Sequence, residues 1–256
     1  MPLDPDLDRA RRFVAAHPPP GEILHVGLVG AHYYGFPSPD SDLDLKGMHL
    51  APTRALLGLD DPPETHDRLQ DFEGDEHDLT THEARQALSL LLRGNGNVLE
   101  RIFTPLQLFE TEALEALRAL AKGALSRRFH GHYRGYFGGM CREHARAPRA
   151  KSMLYAYRVA LTGVHLLRAG EVRGDVVENA RDYGFDGLET LVAHKRGEGE
   201  KSALPETLDA EHRARWPALE DALRDALEHS ALPEEPAGAA AIDAWLVERR
   251  VESLSL

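Results

Sequence analysis

The stretch Val26 to Leu50, VGLVGAHYYGFPSPDSDLDLKGMHL, constrains the fold more than any other part of the chain. Ile23, Leu24, Val26, Leu28 and Val29 make a short apolar, partly β-branched run bounded by glycine, the pattern of a buried strand. Turn signals follow at Gly35, Pro37, Ser38 and Pro39. Asp42-Leu43-Asp44-Leu45 then alternates polar and apolar with a period of two. Both carboxylates therefore project from one face of a second strand, and both leucines face the core.

Carboxylates at i and i+2 on one strand face lie about 6 to 7 Å apart along the chain. Two such groups can flank divalent cations about 3.5 to 4 Å apart, the spacing that holds attacking and leaving oxygens in phosphoryl transfer. Uncompensated, the pair would repel and one member would take up a proton; a bound Mg²⁺ removes that conflict. A short Asp-x-Asp alone is more often a solvated acidic face. Gly30 shifts the balance, because a strand ending in glycine lets backbone N–H groups approach a phosphate with no Cβ between them.

The string GAHYYGFPSPDSDLDLKGMHL resembles the signature of the DNA polymerase β-type nucleotidyltransferase superfamily and, more narrowly, that of the RlaP (RNA ligase-associated) family of predicted nucleotidyltransferases. The resemblance is carried by Gly30, Tyr34-Gly35, Pro39, Ser41-Asp42, Asp44 and Gly47. It implies an α+β fold: a nucleotidyltransferase-type mixed β-sheet domain with helices over residues 1–110, then an all-helical domain over 111–256 that completes the nucleotide and acceptor cleft. One departure stands out. Ala31 replaces the usual serine or glycine, removing a hydroxyl contact worth roughly 1.5 to 3 kcal/mol to a charged phosphate. The backbone N–H groups of Ala31 and His32 remain to serve in its place. Lys46 shares the face of Asp42 and Asp44, where it either contacts phosphate or balances the acids.

A two-metal site needs a third acid from a neighbouring strand, and the resemblance points to Asp78, with Glu76 second on the same face. RGNGNVLERIF, from Arg93 to Phe103, resembles the family's Gly-Asn-Pro-x-x-Leu-Glu segment, with Gly96 in place of proline. Its Asn97-Val98-Leu99-Glu100 reads as a capping box opening a short helix.

Elsewhere the periodicity predicts a helix over Asp4–His17, a strand around Asp75–His82 and a helix from Glu83 to Leu92. Further helices are expected over Glu112–Lys122, Arg127–His144, Arg149–Ala169, Ala210–His229 and Ala240–Val251. Residues 51–74 read as a long proline-rich connection.

A formal charge of −12 argues against a chain that coats nucleic acid nonspecifically, yet it leaves room for a local basic track. Between Ser126 and Arg158 the basic residues are Arg127, Arg128, Arg134, Arg142, Arg146, Arg149, Lys151 and Arg158, against the one acid Glu143. That block is a candidate phosphate-binding wall. Lys151, Tyr155 and Arg158 fall on one helix face, and the resemblance places a comparable Lys-led helix against the triphosphate. Cys141-x-x-His144 and His130-x-His132 are half-sites without partners, so zinc is not expected. A single cysteine and the lack of any apolar run near about 18 residues fit a soluble protein of the reducing cytoplasm, with no membrane partner.

The expected activity is nucleotidyl transfer from an NTP to a hydroxyl, with Mg²⁺ or Mn²⁺ as cofactor and release of pyrophosphate. Asp42, Asp44 and Asp78 are its catalytic and metal-binding residues; Gly30, Ala31, His32, Lys46, Lys151, Tyr155 and Arg158 would bind the nucleotide. An RNA end, such as that of a tRNA, is the favoured acceptor; a protein or a small molecule fits the same chemistry. A noncatalytic nucleotide or RNA sensor is the alternative, and Ala31 is its best support.

Overall fold

The computed structural model describes residues 4–59, 61–199 and 202–254. Helix α1 (Leu7–Ala16) starts at Asp6, whose side chain accepts the Arg9 N–H at 2.9 Å, and it buries Ala10, Phe13 and Val14 at helical spacing. Strand β1 (Glu22–Leu28) runs into the single turn α2 (Gly30–Tyr33), and β2 (Leu43–Leu50) returns antiparallel to β1. A short α3 (Thr53–Leu56) leads to β3 (Thr65–Phe72) and β4 (Asp75–Glu83). Helices α4 (Ala84–Leu92), α5 (Gly96–Phe103) and α6 (Glu112–Ala124) follow. Next come the long helices α7 (Phe129–Arg146) and α8 (Ala150–Ala169), and then α9 (Val176–Asp182) and α10 (Glu189–Glu198). Helices α11 (Glu206–Arg213), α12 (Trp216–Glu228) and α13 (Ala239–Leu254) end the described chain.

The fold is α+β, with one mixed sheet in the order β1-β2-β4-β3. β2 and β4 are parallel, and β3 and β4 form an antiparallel hairpin. The hairpin turns on Glu73 and Gly74, both at positive φ, as a two-residue turn matched to strand twist requires. Sequence reading placed residues 51–74 in a connection, because β3 is an edge strand with half its residues exposed and no apolar alternation to betray it.

The chain forms two compact units. Of the described residues, one holds those within 4–30, 42–125 and 236–254, the other those within 31–41 and 126–235. In the sheet-bearing unit, Leu43, Leu45 and Leu79 join Val26 and Leu28 against Ala10, Phe13 and Val14 of α1. The opposite sheet face carries the partly exposed Asp44, Lys46, Asp78 and Thr80. Glu83, 5% exposed at its side chain, accepts from Arg85 N–H at 2.8 Å and from Arg250 Nη2 at 2.8 Å, which pins α13 to the head of α4.

In the helical unit α8 is buried along nearly its whole length. It crosses α7 at Gly163, where a Cβ would stand 2.7 Å from the Tyr133 side chain. The single helix expected over Ala210–His229 is two helices. The break falls at Ala214-Arg215, and Pro217, which lacks an N–H, sits in the first turn of α12 where that donor is not needed. α5 likewise begins earlier than its expected capping box. Asn95 is the cap, its side chain accepting Asn97 N–H at 3.0 Å.

Two expectations follow. Arg250→Ala leaves the Glu83 carboxylate buried without its cation and should lower stability by about 3 kcal/mol in urea unfolding. His25 is fully buried; burial first, then the charges of Arg101 and Arg118, hold its pKa down at about 3. Its neutral form belongs to the folded state, so stability is complete above the ordinary imidazole value of about 6.5 and is lost as pH falls towards 3. Denaturation midpoints measured from pH 7 to pH 4 should fall, and fall less in His25→Gln.

Candidate active site

The ladder between β1 and β2 extends past the strand end through Val29 N–H, which donates to the Asp44 carbonyl at 2.9 Å. Gly30 follows with φ of 65°. A Cβ built on Gly30 would overlap the Asp44 carboxylate, so glycine is required here both by the backbone and by the close approach of an acid. Asp42 precedes the first residue of β2. Across the parallel pairing, Asp44 stands directly opposite Asp78, and Leu45 opposite Leu79. Facing residues of a ladder share a sheet face, so β2 and β4 set these two carboxylates side by side. Glu76 lies two residues earlier on β4 and is exposed.

Two acids in register on one face repel unless a cation stands by. Lys46 supplies one. Its Nζ lies 2.6 Å from Asp78 Oδ2 and donates to the Asp78 carbonyl at 3.2 Å and to Thr80 Oγ1 at 3.1 Å. These contacts place a cation beside the paired acids. The donors Asp42, Asp44 and Asp78 are hard oxygen ligands and suit Mg²⁺ or Mn²⁺ in kind. Among the described residues, however, no group of three or more His, Cys, Asp or Glu is drawn together as a metal cluster.

The signature residues from Ala31 to Ser41 lie in the helical unit. Ala31 is buried and His32 half-buried, both within α2. Arg158, only 2% exposed, lies inside the unit with its guanidinium 3.8 Å from the centre of the Tyr34 ring and 5.5 Å from those of Tyr136 and Tyr155. Tyr155 in turn packs edge-on against Tyr34 and Phe36. Lys151 and Tyr155 line a cavity of about 310 Å³ with Tyr136 and Arg149. The basic block of the sequence therefore disperses. Arg127 and Arg128 pair with Glu234 and Glu235, Arg158 is interior, and Arg134 and Arg142 face a groove beside α7. His144, fully buried, is held between Ser152 Oγ and Asp209 Oδ1, each at 2.7 Å.

Sequence reasoning missed Lys195. It is completely buried, and its Nζ donates to Ser38 Oγ at 2.8 Å and Ser41 Oγ at 3.0 Å, while the neighbouring Arg196 donates to the Pro37 carbonyl at 3.1 Å. These contacts fasten the segment that delivers the chain to Asp42. The stretch HKRGEGEK around it is hydrophilic; the one usable signal was that Lys195 shares a helix face with Leu191 and Val192.

A nucleotidyltransferase-like protein from Exiguobacterium sibiricum 255-15, a crystal structure, overlaps with a TM-score of 0.35 and 15% identity over 86% of this chain and 74% of that one. No curated protein sequence matches significantly. No helix among the described residues is long and apolar enough to cross a membrane. The model of the RNA repair pathway DNA polymerase beta family matches residues 4–248. With nearly the whole chain matched and the signature seated on a mixed sheet, this protein belongs to the RlaP family and is of the nucleotidyltransferase type.

Proposed function

We propose that the chain transfers a nucleoside monophosphate from an NTP to a hydroxyl on an RNA end, releasing pyrophosphate, in the reducing cytoplasm. The observation that carries this reading is the register of Asp44 against Asp78 beside the bare Cα of Gly30, in a chain of this family. Asp42 and Asp44 are the residues that would hold Mg²⁺ or Mn²⁺, and Asp78 would join them. When bound, such a cation supplies positive charge to the triphosphate oxygens and acidifies the attacking hydroxyl.

The chain's own groups divide the remaining work. Asp78 accepts the proton of the acceptor hydroxyl, and Lys46 fixes the direction of that carboxylate through its 2.6 Å contact. The backbone N–H groups following Gly30, at Ala31 and His32, receive phosphate oxygens in place of the hydroxyl that Ala31 lacks. Lys151 and Tyr155 contact the nucleotide. Arg158, stacked beneath Tyr34, works by holding the signature loop. Catalysis then rests on positioning and charge stabilisation. A noncatalytic sensor is the second reading, favoured by the Lys46–Asp78 ion pair, which occupies a carboxylate that the reaction needs.

The two readings separate on incubation with each α-labelled NTP, Mg²⁺ or Mn²⁺, and pooled cellular RNA, protein or the chain itself as acceptor. The enzyme labels RNA, and the Asp42→Ala, Asp44→Ala double variant loses at least about a hundredfold in rate. Nucleotide binding with no transfer to any acceptor establishes the sensor. Gly30→Ala pushes a methyl into the Asp44 carboxylate and should cut transfer at least about tenfold, a loss of roughly 1.4 kcal/mol in transition-state stabilisation. Lys195→Ala, by loosening Ser38 and Ser41, should lower both stability, by about 1 to 3 kcal/mol, and transfer rate.

A further inference from the structure

A groove of about 920 Å³ runs along one face of α7 within the helical unit, its far wall formed by the end of α11 and the start of α12. From His130 to Arg142 it follows the helix for about 18 Å at a rise of about 1.5 Å per residue. Its charge is lopsided. Arg134, Arg142 and Arg213 line it against the one carboxylate Glu220, in a chain whose overall charge is −12. Burial first, and then the nearby Arg134, hold His130 below the ordinary imidazole value, so the positive charge of the groove comes from the arginines.

The acids that touch these arginines do so loosely. Arg134 lies 3.5 Å from Glu220, both more than half exposed, and Arg213 lies 3.7 Å from Asp209. The exposed Arg134–Glu220 pair contributes little, and Asp209, largely buried, is engaged at 2.7 Å by His144, so a phosphate can take these guanidinium groups over. Arg213 also sits 5.3 Å from the centre of the Trp216 ring, and the indole N–H of Trp216 is buried with no acceptor among the described residues. A guanidinium and an indole together make a stacking platform for bases.

The floor of the groove agrees with this. Gly131 and Gly135 lie on the lining face of α7, and a Cβ on either would meet nothing within 4 Å. Glycine inside a helix works against that helix, and no neighbouring side chain needs the space. A bare backbone there leaves room for a sugar–phosphate chain to lie close.

We propose that this groove holds a single-stranded segment of the RNA acceptor, the arginines on its phosphates and Trp216 under a base. The proposal rests on the reading of the protein as an RNA-directed nucleotidyltransferase, but it concerns binding and is tested without catalysis. Fluorescence anisotropy of a labelled single-stranded RNA 12-mer, with the full chain at 50 to 200 mM salt, gives affinity and its salt dependence. Three phosphate contacts should give a slope of about −2 in log K against log salt. Arg134→Glu with Arg142→Glu should weaken binding at least tenfold and flatten the slope by about 1.4; Trp216→Ala should weaken it roughly tenfold.

Gly131→Leu with Gly135→Leu fills the groove while improving helix propensity, so it should raise the melting temperature and weaken RNA binding together. Asp42→Ala with Asp44→Ala, which removes the acids of the active site, reports on transfer alone. If that pair abolishes transfer while the groove variants bind normally with an unchanged slope, the groove assignment fails and the enzyme reading stands. If no RNA is ever labelled while the groove variants lose RNA, the groove stands and the enzyme reading fails. Polyglutamate that competes as well as unlabelled RNA at equal charge would also overturn the proposal, since bases would then contribute nothing.

Discussion

The parallel pairing of β2 with β4 is the constraint on which the sheet-bearing unit depends. It sets Asp44 opposite Asp78, two like charges on one face, and such a pair destabilises a sheet unless something compensates it. Lys46, two residues beyond Asp44 on the same face, does so, holding Asp78 by its carboxylate and its carbonyl at once. The other face carries the cost of that arrangement, since Leu43, Leu45 and Leu79 must bury enough apolar surface on α1 to keep an acid-bearing sheet in register. Register and charge are therefore one problem. A slip of one residue would turn the leucines to solvent and the acids into the core.

The segment between the two strands obeys a different constraint. Residues 31–41 pack with the helices, although Gly30 before them and Asp42 after them belong to the sheet-bearing unit. Two buried cations hold the segment. Arg158 lies under Tyr34, and Lys195 donates to both Ser38 and Ser41. A buried charge is tolerated only with good partners, so these contacts fix the segment where a flexible loop would otherwise be expected from its glycine, proline and serine content. Asp175 adds to this, capping α9 through the N–H groups of Val177 and Glu178, while Val176 N–H donates to the Tyr34 carbonyl.

What was legible in the sequence follows from these same forces. The strand that carries Asp44, just after Asp42, showed itself because burial on one face imposes alternation at its start, and the long α8 because it is buried almost all round. β3 was invisible because an edge strand open to water has no such pattern, and its Glu73-Gly74 turn is a weaker signal than Asn-Gly. The basic block between Arg127 and Arg158 read as one wall, yet helical geometry scatters it. Residues close in sequence end up paired with acids ahead of α7, lining a groove along it, or wholly buried in α8. Lys195 left only a faint trace, its place on the helix face of Leu191 and Val192, within a stretch that is otherwise hydrophilic.

The glycines bear on where function lies, because the structure separates two kinds. Gly47 and Gly163 are explained from within. A Cβ on the first would strike the His25 carbonyl, and on the second the Tyr133 ring, so packing alone demands them. Gly30 is explained only in part, for what it makes room for is a carboxylate that the fold itself does not need there. Gly131 and Gly135 have no internal explanation, since a side chain at either would meet open space and strengthen the helix. Local choices that oppose the fold without a packing return concentrate at sites that serve something outside the chain. Gly197 of α10 shares that open space, so the glycines of α7 are distinguished by lying two on one face along a groove that arginines line.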